Sequence, residues 1–236
     1  AVAFAIFMRS PPLNFSNVYL LDVATGERAV VADGGTQPMS AGWSLNPSVS
    51  ADGGFVAFDS LVAFDPADTG LQDVYLWSRD TSERLRVSRA ADGGPANGAS
   101  TRPSISDDGS RIAFVSHATN LGAEAIPASG AQVWLADSAT GSARLVSRSI
   151  TGTPANGGSQ SPMISPDGRF VAFLSAASDL VAGDVNERTD AFLFDSVTGI
   201  VSIVSVGSGG TQVDSDVDSV SVCEGGQRLV FVTRAS

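Results

Sequence analysis

One twelve-residue stretch recurs along this chain at a nearly constant spacing, and that period limits the folds open to it. It reads Pro47-Ser-Val-Ser-Ala-Asp-Gly-Gly-Phe-Val-Ala-Phe58, then Pro103-Ser-Ile-Ser-Asp-Asp-Gly-Ser-Arg-Ile-Ala-Phe114, then Pro162-Met-Ile-Ser-Pro-Asp-Gly-Arg-Phe-Val-Ala-Phe173. A more divergent copy is Val220-Ser-Val-Cys-Glu-Gly-Gly-Gln-Arg-Leu-Val-Phe231, and Val2-Ala3-Phe4 matches the tail of another. The steps from Phe4 to Phe58, Phe114, Phe173 and Phe231 are 54, 56, 59 and 58 residues. Such a period means one supersecondary unit copied along the chain.

A second anchor keeps the same phase: Asn17-Val-Tyr-Leu-Leu-Asp22, Asp73-Val-Tyr-Leu-Trp77, Gln132-Val-Trp-Leu-Ala-Asp137 and Asp190-Ala-Phe-Leu-Phe-Asp195. A turn follows, as in Ala139-Thr-Gly141 or Val197-Thr-Gly199, and then a short apolar run such as Ile203-Val204. Each period therefore holds four short runs, a to d, separated by turn chemistry. In the third complete copy, strand a covers Met163–Ser165, strand b Phe170–Leu174, strand c Ala191–Phe194 and strand d Val201–Val204. Pro166-Asp-Gly168 suits a tight a–b turn, and Thr198-Gly199 closes a c–d hairpin. No window carries a 3.6-residue apolar pattern.

Strand b predicts the packing. In Val171-Ala172-Phe173 both faces are apolar, so both faces of the sheet are covered. Large residues recur on one side and a small one (Ala57, Ala113, Ala172) on the other, which leaves room for a neighbouring sheet. Four-stranded antiparallel sheets covered by copies of themselves are the blades of a β-propeller, an all-β fold. A β-solenoid has a shorter repeat and no hairpin turns.

The run Ser-x-Asp-Gly-x-x-(Val/Ile)-Ala-Phe resembles the repeat of TolB-like propellers, bacterial relatives of WD-type propellers. The likeness covers nearly the whole chain. The resemblance implies a six- or seven-bladed propeller, usually outside the cytoplasm, and no single activity. The copies differ from sialidase Asp-boxes, which place one more residue between Asp and Gly.

The repeats divide the chain into 1–46 (partial), 47–102, 103–161, 162–219 and 220–236 (partial), within a single propeller domain 1–236. That division predicts three strands, then three sets of four, then two. Closed propellers usually have four to eight blades, and six at this period need roughly 340 residues. The expectation is about four blades of a larger propeller, continued at both ends. Residues 1–8 are apolar, but they fall in phase with strand b and no charged segment precedes them, so they read as strand.

Net charge is −11, and all 14 basic residues are Arg. An acidic surface argues against nucleic acid and anionic membrane as partners, and suits cations or a basic partner. No apolar run approaches the 18 or so residues of a membrane span. The single cysteine, Cys223, excludes an intrachain disulfide and takes the place of Ser50, Ser106 and Ser165, so it reads as a small structural residue.

Chemistry-bearing residues are sparse. His117 is the only histidine, and no Gly-x-Ser-x-Gly elbow is present, so no catalytic residue is assigned. Acids cluster in two places: Asp184, Asn186 and Asp190 in a b–c loop, and Asp214, Asp216 and Asp218 leading into the last strand a. If extended, the second run puts three carboxylates on one face. Clustered hard oxygens are what Ca²⁺ binds, so these six residues are candidate Ca²⁺ ligands. The competing role is capping of turns, favoured because the second complete copy keeps the loop with few acids.

Taken together, the residues point to a non-enzymatic binding or scaffold propeller with a protein partner or neighbouring subunit, and the resemblance to TolB-like propellers implies an extracytoplasmic location, periplasmic or secreted. The alternatives are the gating propeller of a larger, prolyl-oligopeptidase-like enzyme and a Ca²⁺-dependent carbohydrate- or surface-binding module. A lyase or hydrolase site within these residues is the weakest option.

Overall fold

A computed structural model describes residues 2–10, 13–33, 42–65, 67–122 and 130–234. All regular structure in them is strand, apart from one 3₁₀ turn at Glu224–Gly226. The first blade has three strands: β1 (Val2–Ser10), β2 (Leu13–Leu21) and β3 (Arg28–Ala32). The second has β4 (Ser44–Val49), β5 (Phe55–Ser60), β6 (Asp73–Ser78) and β7 (Arg84–Arg86). The third has β8 (Ser100–Ile105), β9 (Arg111–Ser116), β10 (Gln132–Asp137) and β11 (Ala143–Leu145). The fourth has β12 (Ser159–Ile164), β13 (Phe170–Ser175), β14 (Asp190–Asp195) and β15 (Val201–Ile203). A fifth sheet pairs β16 (Val217–Val222) with β17 (Leu229–Thr233). Every blade is an antiparallel meander in chain order, as four runs joined by turns require.

Strand a begins three residues before the repeated proline in each complete blade, at Ser44, Ser100 and Ser159. The proline conceals this from a sequence reading because it lacks the N–H that a ladder needs. A β-bulge resolves the conflict. The register shifts between Leu45 and Ser48, Thr101 and Ser104, and Gln160 and Met163. The residue before each proline takes a positive φ: 48° at Asn46, 54° at Arg102 and 53° at Ser161. Strand a therefore carries a kink that re-aims its side chains.

The a–b turn is built the same way three times. In the third blade Ser106 donates its hydroxyl to Asp108 (2.6 Å) and accepts the Arg111 N–H (3.0 Å), while Asp108 also accepts the Ser110 N–H. Ser50 with Asp52 and Ser165 with Asp167 repeat the set. These turns also join blades, through Ala51 N–H to Asp107 O (3.0 Å) and Asp107 N–H to Pro166 O (2.9 Å).

The core lies between the blades. Ala57, Val74 and Leu76 pack forward onto Ile112, Phe114 and Trp134 of the next sheet. Ala113, Val115 and Leu135 pack forward onto Val171, Phe173 and Phe192. Val56, Phe58, Tyr75 and Trp77 face backward onto Val18 and Leu20. The small residue of strand b thus receives the large aromatic of the following blade. That is why the alternation reads small on one face and large on the other.

Candidate functional site

A buried hydroxyl pair joins strands a and b in each complete blade: Ser44 and Ser60 (2.9 Å), Ser100 and Ser116 (2.8 Å), Ser159 and Ser175 (2.9 Å). The loop before strand a is tied to the loop after strand b. Asn97 bonds Thr119 and Asn120, and Asn156 bonds Ser178 and Asp179. The small residues there are required, because a Cβ on Gly98 or Gly157 would come within 2.6 or 2.7 Å of backbone. Most repeated polar side chains are therefore committed to the scaffold.

The departures from the repeat are more informative. Strand b of the second blade carries Asp59 where the other copies carry Val115 and Leu174. It is fully buried and accepts from Asn46 Nδ2, Gln72 Nε2 and the Arg102 N–H, each at 2.7 Å. Strand d of the same blade carries Arg86 where the others carry Leu145 and Ile203. Arg86 is buried, with Nη2 3.2 Å from Asp65 and Nε 3.6 Å from Asp73. Asp73 accepts from Ser88 Oγ (2.6 Å), and Asp68 accepts from Tyr75 Oη (2.8 Å). Phe58, Phe64 and Tyr75 close over this network with ring centroids 5.1–5.9 Å apart. Burial pushes the Asp73 carboxyl up to about 6, against the opposing pull of the Ser88 hydroxyl and the Arg86 charge. The acids of this loop thus hold an internal guanidinium. A repeat-by-repeat reading could have flagged both positions, since a charge interrupts an apolar column at each.

The six candidate Ca²⁺ ligands lie around the fourth and fifth sheets. Asp190 is buried and accepts from Ser205 Oγ (2.5 Å); burial raises its pKa, against that hydrogen bond. Asp184 accepts from Gln212 Nε2 (3.1 Å). Asn186 donates to the Val213 carbonyl (3.1 Å) and accepts from the Arg188 N–H (3.1 Å). Asp216 accepts from the Thr189 N–H (2.7 Å), and Asp218 lies 3.6 Å from Arg234 Nε. Asp214, Asp216 and Asp218 do share one open surface recess, but Arg188 and Arg234 line it with them. Among the described residues no group of three or more His, Cys, Asp or Glu is placed to hold a metal ion.

His117 is exposed and its backbone N–H donates to Ala99 O. Cys223 is exposed, unlike the buried serines whose place it takes. Its turn lacks the repeated acid, since Gly225 stands in the place of Asp167 and takes φ 68°.

The arrangement of blades is shared with solved proteins. Over 99% of this chain and 47% of the other, it superposes on TolB from Acinetobacter baumannii with a TM-score of 0.58 and 18% identity. The fold is a TolB-like β-propeller. The chain spans about half the length of that TolB. The TolB-like architecture is also similar to that of prolyl endopeptidases (TM-score 0.57, 13% identity, 98% of this chain and 31% of that one). An oligogalacturonate lyase from Vibrio parahaemolyticus matches with a TM-score of 0.52 and 17% identity, over 92% of this chain and 50% of that one. No protein-family model and no curated protein sequence matches the chain. Among the described residues no helix is long and apolar enough to cross a membrane.

Proposed function

We propose that this TolB-like propeller acts outside the cytoplasm as a non-enzymatic binding or scaffold module whose partner is another polypeptide. The observation that carries the reading is the apolar forward face of β17, which accepts a further β-sheet, whether of this protein or of a partner. Val230 and Val232 take the places of Ala172 and Leu174, which the next sheet covers completely. In β17 they are 70% and 52% exposed. An apolar sheet face of this kind is covered, in other propeller blades, by a further β-sheet. The repeated polar groups support the same reading, because they are committed to holding blades together.

The test is the mass of the chain in solution by sedimentation, for wild type and for Val230→Asp with Val232→Asp. The expected result is association of the wild type, with itself or with an added partner, and a 24.1 kDa species for the variant. A wild type that stays monomeric with every candidate partner would sink the reading. A second reading is favoured by the superposition on prolyl endopeptidases: the propeller serves as one domain of a larger enzyme. Peptidase activity that depends on this propeller would support it.

A further inference from the structure

After strand d, the second and third blades close the same small hairpin. The Ala90 N–H donates to Gly94 O (2.9 Å), as the Ser149 N–H donates to Thr153 O (2.7 Å). An arginine opens each hairpin, Arg89 in one and Arg148 in the other, and each is bridged to a proline. The two guanidinium groups are placed differently. Arg148 turns back onto its own hairpin and donates Nε and Nη2 to the Gly152 carbonyl (2.9 and 2.8 Å). A Cβ on Gly93, the equivalent of Gly152, would meet nothing within 4 Å. Arg89 instead reaches forward to the c–d turn of the third blade, where a Cβ on Gly141 would lie 1.8 Å from its Nη2. The matching turn glycines of the first and fourth blades, Gly26 and Gly199, have open space at that point.

Arg89 finds no acceptor there. Its Nε is buried without a hydrogen-bond partner, and among the described residues no Asp or Glu pairs with it. The guanidinium lines a recess of about 360 Å³ between the two blades. Ala90, Leu121 and Ala143 supply apolar wall, with Thr140 and Ser142 beside them. The two hydroxyls are bonded to each other (2.8 Å), so Arg89 is the donor that remains. The acids of the two flanking turns are committed elsewhere. Asp92 accepts from the Gly94 N–H, and Asp137 accepts from the Ala139 and Thr140 N–H groups and pairs with Arg111. No acid lines this recess, whereas the one at Asp214 and the one at Asp22 set acids beside their arginines. On a chain of net charge −11, a cation so placed is a local exception. A guanidinium with unmet donors is costly, and a carboxylate, with two parallel acceptors, matches it best.

We propose that this recess binds a carboxylate carried on a short apolar group, at the end of a polypeptide or on an acidic side chain, with Arg89 as its ion-pair partner. The apolar wall holds the group that carries the carboxylate. The volume lies at the small end of the range for ligand pockets, about 300–1,000 Å³, so a single residue fills it. The recess lies between the second and third blades and apart from β17, so its failure would leave the forward-face reading untouched.

The test is an NMR titration of isotope-labelled protein at neutral pH and low ionic strength, read at the backbone amides of Gly93, Gly122 and Gly141. Millimolar N-acetyl-leucine is expected to shift these signals. It should bind at least about tenfold more tightly than N-acetyl-leucinamide, which keeps the apolar group and lacks the charge. N-acetyl-glutamic acid α-amide presents the side-chain source, and the tighter of the two carboxylates tells which source the recess takes. Arg89→Gln removes the charge from a side chain that no protein group accepts from, so it folds, keeps the rest of the spectrum and loses the shifts. Should that variant misfold, the comparison of N-acetyl-leucine with its amide on the wild type decides alone. Absence of shifts with both carboxylates overturns the proposal, as does equal binding of N-acetyl-leucine and its amide, or undiminished binding by Arg89→Gln. Equal shifts with inorganic phosphate also overturn it, because the recess would then take any oxyanion without reading the group that carries it.

Discussion

Arg86 is the residue whose removal is most informative, because the third blade already supplies the alternative. Replacing it with the leucine found at position 145 leaves Asp73 and Asp65 buried or half-buried without their cation. Breaking a buried ion pair from one side costs about 3–5 kcal/mol. Arg86→Leu is therefore expected to lower the urea midpoint sharply. Adding Asp73→Gln, which completes the third blade's Gln132 and Leu145 pair, should recover most of that loss. A double variant no more stable than the single one would mean that the repeats are not interchangeable at this site. The Asp73 carboxyl also has a sign to test. Its folded pKa of about 6 lies above the ordinary 3.8, so the native state holds the proton more firmly than the unfolded chain. Its contribution is fully present below the ordinary value and is lost as pH rises through the folded one. Between about pH 4 and 6, wild-type stability should fall relative to Asp73→Asn, and denaturant titrations across that window check it. Arg86 was visible in the sequence only as a departure from an apolar column, and Asp73 only as one member of a polar one. Their pairing was not, because Arg86 and Asp73 meet through strand register and not through any local spacing.

At the scale of one element, the Ser-x-Asp-Gly turn was legible in detail. Side-chain acceptors two residues from a backbone donor, followed by a glycine, specify this turn whatever surrounds it. The structure adds a reason for the glycine that the turn alone does not supply. Gly109 takes φ 73°, and a Cβ there would lie 2.4 Å from Cδ2 of Phe55, in the preceding blade. Gly109→Ala is expected to destabilise by about 2–4 kcal/mol, from the left-handed backbone and the overlap together. Phe55→Leu in the same chain should relieve the overlap but not the backbone term, so chemical denaturation of the pair separates the two. Where strand a begins was not legible. A proline before a run of alternating residues reads as a strand start, and only the recurrent bulge lets the strand continue through it.

For the whole molecule, the period and the small–large alternation predicted sheets stacked on sheets, and that stacking is what the chain does. What covers its forward face was beyond the sequence, because each repeat specifies contacts to a neighbouring sheet and not where that sheet comes from. This asymmetry has a measurable consequence. In a stack where each unit touches only its neighbours, local stability follows how many faces are covered. The second, third and fourth blades are each packed on both sides. Among the described residues β17 pairs only with β16, whereas β5, β9 and β13 each lie between two strands. Its forward valines are exposed where the equivalent residues of β13 are not. Native-state hydrogen exchange should therefore find the amides of β13 protected close to the global unfolding free energy, and those of β17 exchanging through smaller openings. Whatever docks on Val230 and Val232 should slow exchange in β17 first and leave β13 unchanged. Equal protection of β13 and β17 in the free chain would mean that its blades open as one cooperative unit, and that the forward face adds nothing to local stability when covered.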